Sequence, residues 1–337
     1  MGVPQAVAEY EAIDRQRFDE EIRASRRPAV LRGLARSWPA VQAAVASDEA
    51  LVDYLRRFRL EHPVRVIVGR PEIEGRFFYT DDLRALNFTE GVSPLDPFLD
   101  RLLRDRADPR PYAIALQSLP VPELLPGFDG ENGMPLLDAQ VVPRLWMGNA
   151  ARVAAHYDLM ENVGVVVAGR RRFTLFPPDQ ISNLYPGPLE LTPAGTPVSL
   201  VDPLAPDLEL YPRFAEALAA AQAAVLEPGD AIYIPYHWWH AVDSLEPVNL
   251  FVNYWWNPAR KDLGNPYDAL MFAFFALREL PEDQRDAWRH VFDHYVFRTN
   301  GDPAAHIPLP ARGALGPATP EQLQRMRATL KQIAVRL

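Results

Sequence analysis

Two short stretches hold the side chains most able to do chemistry. Residues 154–162 read AAHYDLMEN and residues 231–240 read AIYIPYHWWH, so a chain with only 7 histidines sets one of them two residues from an aspartate and two more inside an aromatic run. In a β-strand, residues two apart face the same side. A strand over 153–158 therefore points His156 and Asp158 together and turns Tyr157 away. A third ligand has to come from a distant strand. After the turn Pro228-Gly229-Asp230 and a strand over 231–235, either His237 or His240 stands ready to supply it. Two histidines and one carboxylate on one face, with the remaining positions open, form the ligand set of non-haem Fe(II) oxygenases. An isolated H-x-D is common and means little, and a histidine among aromatics is ordinarily packed core, so the reading depends on what surrounds the two stretches.

Composition narrows the chemistry further. The chain has no cysteine, which removes disulfides, thiolate metal sites, iron–sulfur clusters and thiol nucleophiles together; a metal site must use His, Asp and Glu. The formal net charge is −9, spread along the chain, and this argues against nucleic acid as a partner, because that binding depends on cationic contacts to phosphate. The N-terminal stretch MGVPQAVAEYEAIDRQRF has no apolar signal core, and no segment approaches the roughly 18 to 20 apolar residues of a membrane span. The sequence thus predicts a soluble, cytoplasmic protein with no membrane partner.

The elements that must position these residues can be read from periodicity. Over 6–60, VAEYEAIDRQRFDEEIRA and DEALVDYLRRFR (48–59) carry apolar residues at three- and four-residue spacing and predict helices. VRVIVG (64–69) predicts a strand, with RFFYT (76–80) as its hairpin partner. From about residue 111 the texture changes to short β-rich runs, YAIALQ, VGVVVAG, RRFTLF, AVLEPGDAIYIP and VNLFVNYWW, separated by Pro and Gly; only RFAEALAAAQAA (213–224) reads as helix. The 34 prolines are about twice the usual share and fall mainly in the turns. Regularly spaced short strands of this kind predict an all-β sandwich or barrel. Helices return after residue 258, ending in one from Pro320 to Leu337. The segment PYDALMFAFFALREL is apolar on nearly every side, so it must be buried in its own domain or against a second subunit; the sequence predicts a homodimer. The expected organisation is an N-terminal helix-and-strand region (1–110), a β-barrel (111–258) and a C-terminal helical region (259–337).

The blocks HYD, FPPDQ, LYP, PGD followed by YIP, WWH and VNYWW occur in an order and at a spacing that resemble the Jumonji-C, cupin-like family of 2-oxoglutarate-dependent oxygenases, most closely the asparaginyl hydroxylase factor inhibiting HIF and its bacterial cupin-like relatives. RPAVLRGLARSWPA also resembles the family's entry segment. The resemblance implies a mainly β fold, a double-stranded β-helix (jelly roll) with the metal at its mouth and with N-terminal and C-terminal helical regions flanking it. It implies Fe(II) and 2-oxoglutarate as cofactors, and His156, Asp158 and His240 as both metal ligands and catalytic residues. His237 falls where close relatives carry tyrosine.

For cosubstrate binding the resemblance implies Asn162, Asn253 and Trp255 as pocket residues. It also places Arg171, fifteen residues past His156, where the closest relative has the lysine that pairs with the distal carboxylate of 2-oxoglutarate. Arginine keeps the charge and adds a fork suited to carboxylate. Tyr112 is expected to add a hydroxyl. The family's threonine before the H-x-D is Val153 here. The glutamine that grips the target amide in the asparaginyl hydroxylase is matched by Val198, which speaks against an asparagine side chain as substrate. The expected activity is hydroxylation of a protein side chain. Hydroxylation of a small molecule or a tRNA base, or a non-catalytic metal-binding cupin module, are the alternatives.

Overall fold

The computed structural model describes residues 3–58 and 63–336; Arg59 and Leu337, the expected ends of two helices, lie outside them. Contacts divide the chain into a unit of 1–257 and a unit of 258–337. No helix among the described residues is long and apolar enough to cross a membrane.

The first unit is mainly β. Its strands are β1 (Gln5–Ala6), β2 (Ala8–Glu11), β3 (Ala29–Arg32), β4 (Val64–Gly69), β5 (Arg76–Phe77), β6 (Phe88–Ser93), β7 (Ala113–Pro120), β8 (Pro143–Gly148), β9 (Arg152–His156), β10 (Glu161–Ala168), β11 (Arg171–Phe176), β12 (Gln222–Leu226), β13 (Ala231–Ile234), β14 (Trp239–Ser244) and β15 (Asn249–Trp256). They form a nine-stranded sheet in the order β2-β3-β13-β10-β15-β8-β7-β4-β6 and a six-stranded sheet in the order β1-β12-β11-β14-β9-β5. From β8 to β15 the chain passes back and forth between the two sheets, except that β11 and β12 pair with each other in the six-stranded sheet, and these strands make the jelly roll.

The central strand β10 of the large sheet is buried on both faces, which explains why its sequence, ENVGVVVA, is apolar without alternation. Val163, Val165 and Val167 join an outer core with Phe18, Leu51, Leu99 and Phe128 from the flanking helical segments. Val166 faces the other way, into the space between the sheets, with Ile232 and Phe251 from the same sheet and Phe173, Leu175 and Val242 from the opposite one. The site residues belong to this inner face. At the end of β10, Glu161 Oε2 accepts from Arg23 Nε (2.9 Å) and from the Tyr233 hydroxyl (2.9 Å), tying the helical turn Phe18–Arg23 to the strand.

Four expectations are corrected. The start of VAEYEAIDRQRFDEEIRA is not helical: Ala8–Glu11 forms β2, parallel to β3, and the helical residues are Arg15–Arg17 and Phe18–Arg23. RFFYT is not the hairpin partner of β4: β4 pairs with β6 and β7, whereas β5 runs parallel to β9 in the other sheet, Arg76 opposite Arg152. The left-handed turn at Glu74-Gly75 redirects the chain, and the Phe77 ring then packs on Ile67 and Ala113. The helix expected over 213–224 ends at Ala220, and its last residues become β12, which hydrogen-bonds to β11. The apolar helix Pro266–Leu277 has no buried residue; Met271 and Phe275 are 51% and 70% exposed. Its apolar residues are therefore not packed into a core formed by the described residues of the C-terminal unit.

Gly164 marks the tightest packing at the inner face. A Cβ there would lie 2.0 Å from Phe251 Cζ, and Phe251 is nearly buried. Gly164→Ala is expected to destabilise the fold by roughly 1–3 kcal/mol through forced repacking, measured as a lower denaturant midpoint; a midpoint equal to wild type would show that Phe251 can yield.

Candidate metal centre

The pairing of β14 with β9 puts His240 directly opposite His156. Their rings lie 4.3 Å apart between centroids. Asp158 sits two residues past the end of β9, and one ligand atom from each of His156, Asp158 and His240 falls within 4.8 Å of the others; His240 Nε2 is 3.7 Å from Asp158 Oδ2. Each imidazole is oriented by the same local device. His156 Nδ1 lies 2.9 Å from the Ala154 carbonyl and His240 Nδ1 lies 3.0 Å from the Trp238 carbonyl. A carbonyl can only accept, so Nδ1 carries a proton on both rings, and in the neutral ring Nε2 keeps the lone pair a metal ligand requires. Burial, and secondly the neighbouring His240, push the pKa of His156 down to about 4 against an opposing pull from Asp158, which keeps its ring neutral at pH 7.

Asp158 is held from the opposite side. Its Oδ2 accepts from Trp255 Nε1 at 2.9 Å and from Asn162 Nδ2 at 3.2 Å. Asn253 Nδ2 donates to Asn162 Oδ1 at 3.1 Å, and Trp146 Nε1 donates to Asn253 Oδ1 at 2.8 Å. Asn162 and Asn253 are both buried. The structure thus brings Asn162, Asn253 and Trp255 together with the three candidate ligands, and adds Trp146, which sequence reading missed. The signal for Trp146 was its place in PRLWMG, two residues from Arg144 on the β8 face that pairs with β15; only the register of Phe251 opposite Trp146 makes it visible.

Arg171 starts β11 and points between the sheets. Its guanidinium is buried, lies 4.7 Å over the Phe251 ring, and its Nε has no hydrogen-bond partner. No ion pair forms to it among the described residues, and burial pushes its pKa down to about 9. An unpaired buried cation is costly, and an anionic ligand would relieve it. Across β14, Arg171 is opposite Ser244 and Leu175 is opposite His240, so the cation and the histidine are four residues apart along the strand, about 13 Å of backbone.

Other expected residues lie elsewhere. Tyr112 precedes β7; the residue is 46% exposed and its ring lies under the Arg101 guanidinium, and it is not among the groups converging on the triad. His237 occupies a left-handed turn (φ 64°) between β13 and β14, stacks on Tyr157 at 4.5 Å, and is not among the converging groups. Its backbone N–H donates to the Asp158 carbonyl. Val153 packs on the inter-sheet core, and Val198 is fully buried with Tyr79 and Ala154.

A jelly roll with this triad at the inner face defines a class, and comparison agrees: a family model described as "Cupin-like domain" matches residues 15–262, and the chain belongs to that family, in line with the Jumonji-C resemblance of its sequence. It is similar to the HSPB1-associated protein 1 homolog of Danio rerio (28% identical over 279 residues, 78% of this chain and 59% of the relative). It is also similar to the lysine-specific demethylase JMJ31 of Arabidopsis thaliana (30% over 268 residues, 71% and 47%). A third similarity is to the human bifunctional peptidase and (3S)-lysyl hydroxylase JMJD7 (29% over 266 residues, 68% and 77%). The chain spans less than two thirds of the length of the first two.

If the triad is the metal centre, His156→Ala and Asp158→Ala should each abolish Co(II) or Fe(II) binding in a titration followed by absorbance, with circular dichroism unchanged. His237→Ala should bind metal as wild type does. Equal loss in the His237 variant would mean that the ligand set has been misassigned.

Proposed function

We propose that this protein is an Fe(II)- and 2-oxoglutarate-dependent dioxygenase that hydroxylates a protein side chain. The observation that carries the reading is the convergence of His156, Asp158 and His240 with both Nδ1 atoms already engaged. Two nitrogens and one carboxylate fit Fe(II) and leave positions open for other ligands. The buried, unpaired guanidinium of Arg171 fits the distal carboxylate of 2-oxoglutarate.

When bound, the iron couples the splitting of 2-oxoglutarate and O2 into succinate and CO2 to insertion of one oxygen atom into a substrate C–H bond. The chain's own residues do the rest. His156, Asp158 and His240 hold the metal. Arg171 anchors the cosubstrate, and Asn162 and Asn253 supply amide N–H groups. Val166, Phe173, Leu175 and Phe251 wall off water on the inner face.

A cleft of about 690 Å³, lined by Arg23, Glu161, Pro177, Tyr236 and Trp238 among others, supports a substrate of some size. Its wall residue Trp238 is the one whose carbonyl orients His240. Relatives named as a lysyl hydroxylase and as lysine-specific demethylases support a polypeptide substrate. Within the C-terminal unit, an open groove of about 360 Å³ lined by Leu270, Phe274, Trp288, Phe292 and Phe297 supports a second copy of the chain as its cover, since exposed apolar patches of this kind mark association surfaces. A monomer by sedimentation at micromolar concentration would remove that part of the proposal.

The test of the activity is an anaerobic titration with Fe(II) and 2-oxoglutarate, in which a visible charge-transfer band should appear. In Arg171→Ala the band should require cosubstrate at roughly two to four orders of magnitude higher concentration, the equivalent of about 3–5 kcal/mol for breaking a buried ion pair. Metal affinity should be unchanged, and Arg171→Lys should recover part of the loss. Tight 2-oxoglutarate binding by Arg171→Ala would mean that another cation or another cosubstrate is in use.

A further inference from the structure

The chain of bonds Trp146 to Asn253 to Asn162 to Asp158 has two ends of fixed polarity. An indole N–H can only donate, and an ionised carboxylate can only accept. Between them stand two primary amides, each able to sit in either of two orientations. Only one combination satisfies all three bonds: Asn253 turns its oxygen to Trp146 and its NH2 to Asn162, which turns its NH2 to Asp158. Asn253 and Asn162 are 1% and 5% exposed, so water is a poor substitute partner, and an amide left unsatisfied there is costly.

We infer that Trp146 is a positioning residue for the metal centre: it acts through the two amides to fix the carboxylate of Asp158. The inference rests on the reading of His156, Asp158 and His240 as metal ligands. Asp158 Oδ2 receives one indole N–H directly, from Trp255, and a second indole's influence through the relay. The two indoles also meet edge to face, at 5.7 Å, so the relay and the direct donor are held by one packing contact. Because each amide is locked with its NH2 toward the Asp158 end, each keeps a second N–H, and the site offers donors rather than carbonyl lone pairs to an anionic ligand.

The experiment measures Co(II) affinity of the whole chain by its visible absorption, without turnover. Trp146→Phe keeps the ring and removes the donor; its Co(II) affinity should fall about tenfold, the lower end of what outer partners of metal ligands contribute. A change below threefold overturns the inference. Packing alone is separated from the relay by a cycle with Asn253→Leu. If Trp146 acts through Asn253, adding Trp146→Phe to Asn253→Leu causes no further loss, whereas additive losses overturn the relay. Asn253→Asp gives a second route should either of these variants fail to fold. It still accepts from Trp146 but has no N–H for Asn162, so Co(II) affinity should drop although the indole bond is kept, and wild-type affinity would overturn the inference. A wild-type protein that binds no Co(II) or Fe(II) would instead overturn the assignment of the metal centre itself.

Discussion

The register between β9 and β14, with His240 opposite His156, is the constraint on which the site depends. Side chains alternate along a strand, so a slip of one residue would turn His240 out of the inter-sheet space and bring Trp239 or Ala241 in. Two features hold the register. The β13–β14 turn is closed by His237, whose left-handed backbone donates to the Asp158 carbonyl, so one bond ties the turn to the segment carrying the carboxylate. On its other side β14 pairs with β11 through six consecutive residues, from Arg171 opposite Ser244 to Phe176 opposite Trp239. The strand that presents His240 is therefore central in its sheet, and the histidine cannot drift without breaking two ladders.

The same pairing fixes the distance between the histidine–aspartate triad and the cation. Arg171 and Leu175 are both inward on β11, one opposite Ser244 and the other opposite His240, so the unpaired guanidinium stands at a set depth behind the triad. The only lysines in the chain are Lys261 and Lys331, both outside the barrel, and arginine is the cation this chain uses throughout. A guanidinium buried over Phe251 with no counter-anion among the described residues is a cost to the folded protein that a bound anion would relieve.

How much was legible in the sequence follows from which interactions are local. The strands around His156, VGVVVA and AIYI are short-range patterns and appear where alternation placed them, although Asp158 lies past the end of β9 rather than on a strand with His156. His240 against His237 was not decided by spacing alone, because the difference is a turn and a register, both tertiary. The partner of β4 was misread because β5 and β6 are both short β-like runs downstream of it, and the choice was made by where Phe77 could be buried. Tyr112 failed for the same reason: its neighbour in space, Arg101, lies on a helix that no periodicity relates to β7. Trp146 was invisible because its meaning is a cross-strand hydrogen bond to Asn253, two positions along the strand from the residue it pairs with.

The two faces of the large sheet divide the work. On the outer face, Phe18, Leu51, Leu99 and Phe128 belong to one apolar cluster with the valines of β10, and this is where area removed from water stabilises the fold. On the inner face the same strand presents Asn162, then Gly164, then Val166, a row that runs from a polar group at the metal end to apolar packing beneath it. Gly164 is central to this arrangement: with no Cβ it lets the Phe251 ring come close, and the same ring lies under the Arg171 guanidinium. A single strand can therefore be a structural element on odd residues and a wall of the site on even ones, and substitutions one residue apart along it should separate stability from ligand binding.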